Sequence, residues 1–252
     1  MFFIMIKRHA TVGILASTFS STLLKGARLK RRLFTTLLFL FCGIYINSFA
    51  QVNDAGLWTS IDVSKKLAGG FNASLSEEIR LNENVSEVGT AFTEIGITHK
   101  IIKRMTGGIS YRFIQSRRLD DSYSIRHRLN VDVAYRIKFK MISATVRERF
   151  QSQVKNVQSS DDGSIPVNYL RNKVTFKYDT NKKYTPWISF EAFLQLNNPE
   201  GNEFDNLRYS AGFDYKFNKK NSISLFYLIN QEINVDDPLT GYITGVNYSY
   251  SF

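Results

Sequence analysis

The residues of this 252-residue chain that could do chemistry are few, and they are badly placed for it. Hydrolysis of an acyl or ester bond needs a nucleophile, a base within reach and a group that orients the base. Beyond residue 50 the sequence offers two histidines, His99 and His127, and no Gly-x-Ser-x-Gly run around a serine. Both histidines fall in the apolar register of alternating segments, which suits packing or an interface better than proton transfer. "DDGS" at 161–164 and "VDDP" at 235–238 lack the spaced oxygen ligands of a calcium loop and read as solvated connections. "GGFNAS" from Gly69 leads into another extended segment, so it cannot set a helix N-terminus against a phosphate. No catalytic, metal or cofactor-binding residue is expected, and the chain reads as a non-enzyme.

What recurs instead is charge at every second position. Glu78, Arg80, Glu94, Arg112, Arg126, Arg128, Asp132, Arg147, Arg149, Arg171, Lys173 and Glu191 sit in the polar register of successive segments, opposite residues such as Leu129, Val131, Val133 and Tyr135. Period-two alternation is the signature of a β-strand with two unlike faces. Eleven candidate strands follow: 57–67, 71–81, 88–100, 106–116, 123–137, 141–152, 168–180, 184–196, 204–217, 222–232 and 241–252. Most reach ten residues or more, beyond the five or six usual in soluble sheets and close to the roughly 9–11 of a tilted membrane strand. Their connections alternate between short ("AGG", "KFK", "NKKN") and long ("NENVSE", "RRLDDS", "NNPEGNE"). Outer-membrane barrels show that asymmetry, with short periplasmic turns and longer outer loops. The expected fold is therefore an all-β antiparallel transmembrane barrel with its charged face turned into the lumen and its apolar face toward outer-membrane lipid.

The N-terminal region fits this reading. Arg28, Lys30, Arg31 and Arg32 precede an apolar run from Leu33 to Ile46, and small residues Ser48 and Ala50 follow, which is the layout of a secretory signal cleaved after Ala50. Residues 1–29 read as an extension from a misplaced start codon or as an unusually long leading region. Of 33 basic residues seven lie in residues 1–50, which hold no acid, so residues 51–252 keep 26 basic against 22 acidic residues, a net +4. That balance removes the main argument for nucleic-acid binding. Cys42, the one cysteine, lies inside the apolar run after Phe41, so no lipid anchor, disulfide or cysteine-based metal site is expected in residues 51–252.

The order and spacing of "LW" (57–58), "EEIR" (77–80), "SYRF" (110–113), "RHR" (126–128), "RERF" (147–150) and "NLRYSAGFDY" (206–215) resemble the family catalogued as domain of unknown function 2490. The resemblance implies an outer-membrane barrel over residues 57–252 and supplies no catalytic residues. The final strand, with outward Tyr250 and Phe252, resembles the sorting signal read by the barrel-assembly machinery, which is the expected partner in biogenesis.

Three functions compete on these grounds. The favoured one is a mostly filled barrel with a structural or surface-interaction role, its arginines paired with Glu78, Glu94, Asp132 and Glu191. A narrow porin-like channel for small anionic solutes is the first alternative, and a barrel-embedded lipid hydrolase the second. A soluble lipid binder of lipocalin type would need the opposite arrangement, with apolar residues inside. Oligomeric state is not legible. Strand number is ambiguous, because bacterial single-chain barrels normally have even counts. Ten strands from Phe71 to Phe252 are expected, with 57–67 an extra strand starting on the outer side or a segment in the lumen or mouth; eleven or twelve strands remain the alternative.

Overall fold

The computed structural model describes residues 52–118, 120–155, 166–199 and 201–252. The signal expected over residues 1–50, Cys42 within it, and the "DDGS" stretch at 161–164 lie outside the described residues. The strands are β1 (Val52–Lys66), β2 (Phe71–Asn82), β3 (Glu87–Ile102), β4 (Met105–Arg117), β5 (Tyr123–Phe139), β6 (Ile142–Lys155), β7 (Val167–Tyr178), β8 (Tyr184–Gln195), β9 (Glu203–Lys216), β10 (Asn221–Glu232) and β11 (Leu239–Ser251). They run up and down in chain order and close into one barrel.

The barrel has eleven strands, one more than the favoured ten and within the range of ten to twelve. Of the two readings of 57–67, the extra strand is the one found: it is β1, extended at its start to Val52. An odd number of up-and-down strands brings the first and last together pointing the same way. β1 and β11 accordingly pair in parallel, Val52–Ser64 against Leu239–Ser251, while β1 pairs antiparallel with β2 on its other edge. Both edges of β1 are thereby satisfied, and the Phe252 amide extends the ladder by donating to the Ser64 carbonyl at 2.9 Å. Because Val52 stands beside Leu239, β1 starts on the rim that carries the long connections.

The two rims differ in chemistry. Short connections carry Lys103, Arg104, Lys140, Lys182, Lys183, Lys219 and Lys220. Just above them Phe71, Phe139, Tyr178, Tyr184, Phe217 and Phe252 are exposed, an aromatic girdle of the kind found at a membrane interface. The long connections carry Glu83, Asp120, Asp121, Asp236 and Asp237 instead. There Arg117 gathers Asp121, Glu83 and Glu87 at 2.5, 3.0 and 3.6 Å. Asn84 and Val85, both at positive φ, are tied to β1 by the Asp54 side chain and the Ala55 carbonyl.

Cross-strand registers assign every side chain to a wall. The outer wall is apolar, with Ile61, Ile79, Ile95, Ile109, Val131 and Ile188 all exposed. Two mid-strand carboxylates, Glu77 and Glu148, interrupt it. Glu77 accepts from Thr93 Oγ1 at 3.0 Å, and Glu148 accepts from the Asn172 amide nitrogen. At each of these points a neighbouring strand supplies the acid with a donor. His99 and His127 also face outward. The His127 ring lies beside Tyr111, whose hydroxyl is 2.6 Å from Nδ1.

Candidate functional site: an arginine-lined lumen

All twelve charged residues picked out from the sequence point inward, because each shares its strand's register with lumen-facing neighbours across the sheet. Most are drawn into acid–base contacts. Arg80 meets Glu78, Arg112 meets Glu94, and Arg149 meets Asp132, each at 2.6 Å. The Arg149–Asp132 contact is bidentate, with Nη2 2.8 Å from the second oxygen. Glu191, 2% exposed, accepts from Arg147 at 2.6 Å and Arg171 at 2.8 Å, with Lys173 at 4.0 Å. Asn130, fully buried, donates to Ser110 at 3.1 Å and Glu94 at 3.4 Å.

Several of these contacts skip a strand, so they reach into the lumen as well as along its wall. Arg147 on β6 reaches Glu191 on β8, and Asn130 on β5 reaches Glu94 on β3. Toward the short-turn end, Lys177 on β7 meets Asp214 on β9 at 2.6 Å, where Trp187 Nε1 and Ser224 Oγ also donate at 3.0 and 2.9 Å. Toward the other rim Tyr169 on β7 donates to Asp205 on β9 at 2.6 Å. Asp205 is the extra residue of a bulge, where Phe193 pairs with Asn206 and Leu194 with Phe204. The bulge turns a side chain toward the lumen that plain alternation would send out.

Two arginines are held differently. Arg128 donates to the Gln153 amide oxygen through Nε at 2.9 Å and Nη2 at 2.5 Å. Arg208 donates to Asn230 Oδ1 through Nε at 3.1 Å and Nη2 at 2.9 Å. Among the described residues neither has a carboxylate at ion-pair distance, and neither does Arg126. The Nε groups of Arg126 and Arg147 are buried without a hydrogen-bond acceptor there, that of Arg147 lying 4.0 Å from the Asp132 carboxylate.

Aromatic faces fix several of the guanidinium planes. The Arg80 guanidinium carbon lies 3.7 Å from the Trp58 ring centre, that of Arg112 3.7 Å from Phe92, and that of Arg171 4.3 Å from Phe193. Arg208 lies between two rings, 5.1 Å from Trp58 and 4.9 Å from Phe193, which links β9 to β1 across the interior. Stacking uses the guanidinium face and leaves its edge, with the donors, free to bond in plane. Phe226 is pressed against the wall over Gly245, where a Cβ would come within 2.0 Å of its ring, and beside Gly212.

These groups surround a cavity of about 570 Å³. Its charged lining is Arg80, Arg112, Arg128, Arg147, Arg149, Arg171, Lys173 and Arg208 against Glu78, Glu191, Asp205 and Glu232. Sequence reasoning had not singled out Arg208, although counting back in twos from inward Asp214 places it in the lumen. Trp58, Tyr169, Gln153 and Asn230 carried no advance signal, because their roles depend on which residue lies opposite. Tyr250 and Phe252, expected from the sequence to form an assembly signal, are set edge to face with ring centres 4.8 Å apart.

No curated protein matches this sequence. Solved structures similar in fold include the β domain of the Bordetella autotransporter BrkA (8% identity, 70% of this chain and 82% of that one, TM-score 0.44). Others are a bacterial polysaccharide outer-membrane secretin (11%, 70% and 63%, TM-score 0.47) and the translocator domain of the autotransporter NalP from Neisseria meningitidis (13%, 69% and 71%, TM-score 0.36). The sequence profile of the family described as protein of unknown function DUF2490 matches residues 55–238, the greater part of the closed barrel, and this chain belongs to that family.

Proposed function

We propose that this protein is an outer-membrane barrel whose lumen is bridged by its own side chains, and that it serves a structural or surface-interaction role rather than bulk diffusion. The observation that carries this reading is the set of contacts joining non-adjacent strands: Arg147–Glu191, Asn130–Glu94, Lys177–Asp214 and Arg208 between Trp58 and Phe193. An open pore would leave such charges to water along the walls. Strands of 12–17 residues, the apolar exterior and the aromatic girdle support placement in the outer membrane. Lipid and, during biogenesis, the assembly machinery acting on Tyr250 and Phe252 are the partners of this reading; Phe252→Ala is expected to lower the assembled fraction.

Planar-bilayer recording of the refolded protein tests the bridged lumen. Little steady current is expected from the wild type, with current appearing when Arg147→Ala and Arg208→Ala together remove two bridges. A large ohmic current from the wild type overturns the reading. The excess of cations in the lining favours a second reading, a narrow anion passage, whose mark is a small anion-selective current in the unaltered protein.

A further inference from the structure

We propose that the lumen cavity is a binding site for a small soluble polyanion bearing phosphate or carboxylate groups, held chiefly by Arg128 and Arg208. The proposal goes beyond the bridged-lumen reading, because amides on adjacent strands, not the bridges, fix Arg128 and Arg208. Around Asp132 and Glu191 the protein supplies carboxylates to its own arginines at 2.6–2.8 Å. At Arg128 and Arg208 it supplies neutral amides, which position a guanidinium without cancelling its charge.

A cation brought out of bulk water without a counter-charge costs free energy unless an anion completes its shell. Two groups still lack that completion on one cavity, Arg128 and Arg208, each with donors left over after its amide contact. Guanidinium groups held by amides and aromatic faces lose little freedom on binding, so the ligand's charge meets a prepared fork. A cavity of about 570 Å³ lies in the range of small-molecule sites, roughly 300–1,000 Å³, and exceeds the need of a single monatomic ion. A ring of eleven strands separates it from lipid, so the ligand comes from solution.

The protein carries its own reporter. Its two tryptophans, Trp58 and Trp187, both line the cavity. Titrating the detergent-folded barrel with inorganic pyrophosphate, and separately with citrate, is expected to give a saturable change in tryptophan emission with at least one of them. Chloride at matched ionic strength gives none. Arg128→Gln and Arg208→Gln each weaken the apparent affinity about tenfold or more, the loss expected for a charge-assisted contact. Both variants fold, because each removes an unmatched cation; an unfolding midpoint at or above the wild type checks this. No saturable change with either anion, a response that follows ionic strength alone, or unaltered affinity in both variants overturns the proposal. Bilayer current reads the lumen separately: a conducting barrel that still binds pyrophosphate defeats the bridged-lumen reading and leaves the site standing.

Discussion

Strand β5 shows how differently the two walls of one sheet meet their surroundings. Inward it presents Arg126, Arg128, Asn130 and Asp132; outward, one residue out of phase, Leu129, Val131, Val133 and Tyr135. The outer wall is solved almost entirely by omission, since a side chain facing hydrocarbon without a charge needs no partner. The inner wall keeps its charges and matches most of them with a counter-charge, leaving Arg128 and Arg208 to neutral amides. A substitution on the outer wall therefore has local consequences set by depth, while one on the inner wall is felt through partners two strands away.

The sharpest way to break that contrast is at Glu191. Glu191→Gln leaves Arg147, Arg171 and Lys173 converging without a carboxylate. Removing one member of a buried pair can cost about 3–5 kcal/mol, and water in the cavity brings the expectation toward the lower figure. Urea unfolding of the vesicle-folded barrel measures it, and an unchanged midpoint would show the inner wall to be solvated as independently as the outer one.

On the other wall, Val131→Arg near the middle of β5 is expected to destabilise by about 2–4 kcal/mol if it lies at the bilayer midplane, falling toward zero near an interface. The same substitution in thinner and thicker bilayers sharpens the comparison, because an outer-wall effect follows depth.

Gly245→Ala probes the inner wall through shape instead of charge. The added methyl meets the Phe226 ring and pushes it toward the cavity, an overpacking change worth about 1–3 kcal/mol. Pairing it with Phe226→Leu is expected to recover most of the loss, and recovery would assign the glycine to that ring contact.

The smallest effect is expected at the outer wall's exception. Glu148→Leu with Asn172→Leu replaces a hydrogen-bonded polar pair in the lipid-facing layer by apolar groups, and a modest rise in unfolding midpoint is expected. A fall would mean the pair is covered by protein in the membrane.

Much of this architecture was legible in advance because a strand's side chains alternate strictly. Period two placed all twelve charged residues on one face, and it would have placed Arg208 there had the count been carried back from Asp214. It could not place Asp205, whose bulge breaks the alternation, and although it puts Glu77 and Glu148 in the outer register, it could not show that a neighbouring strand sets a donor beside each. Strand number was legible only as a range of ten to twelve, because the even-number expectation assumes antiparallel closure, and β1 closes in parallel with β11.

By itself, then, the sequence determined strands, faces and the sorting of long from short connections, since each follows from local spacing along one chain. Arg112–Glu94 and Arg149–Asp132 follow from the register of adjacent strands, but only the closed barrel decided which charges meet across a strand. Arg147 has Ala134 and Lys173 as its register neighbours, yet its acid, Glu191, lies two strands away. Stagger between strands and curvature of the wall set that distance, and they depend on all eleven strands together. For the same reason Arg128 and Arg208 look like every other inward arginine in the sequence, and only the folded lumen shows them held by amides at the edge of a cavity.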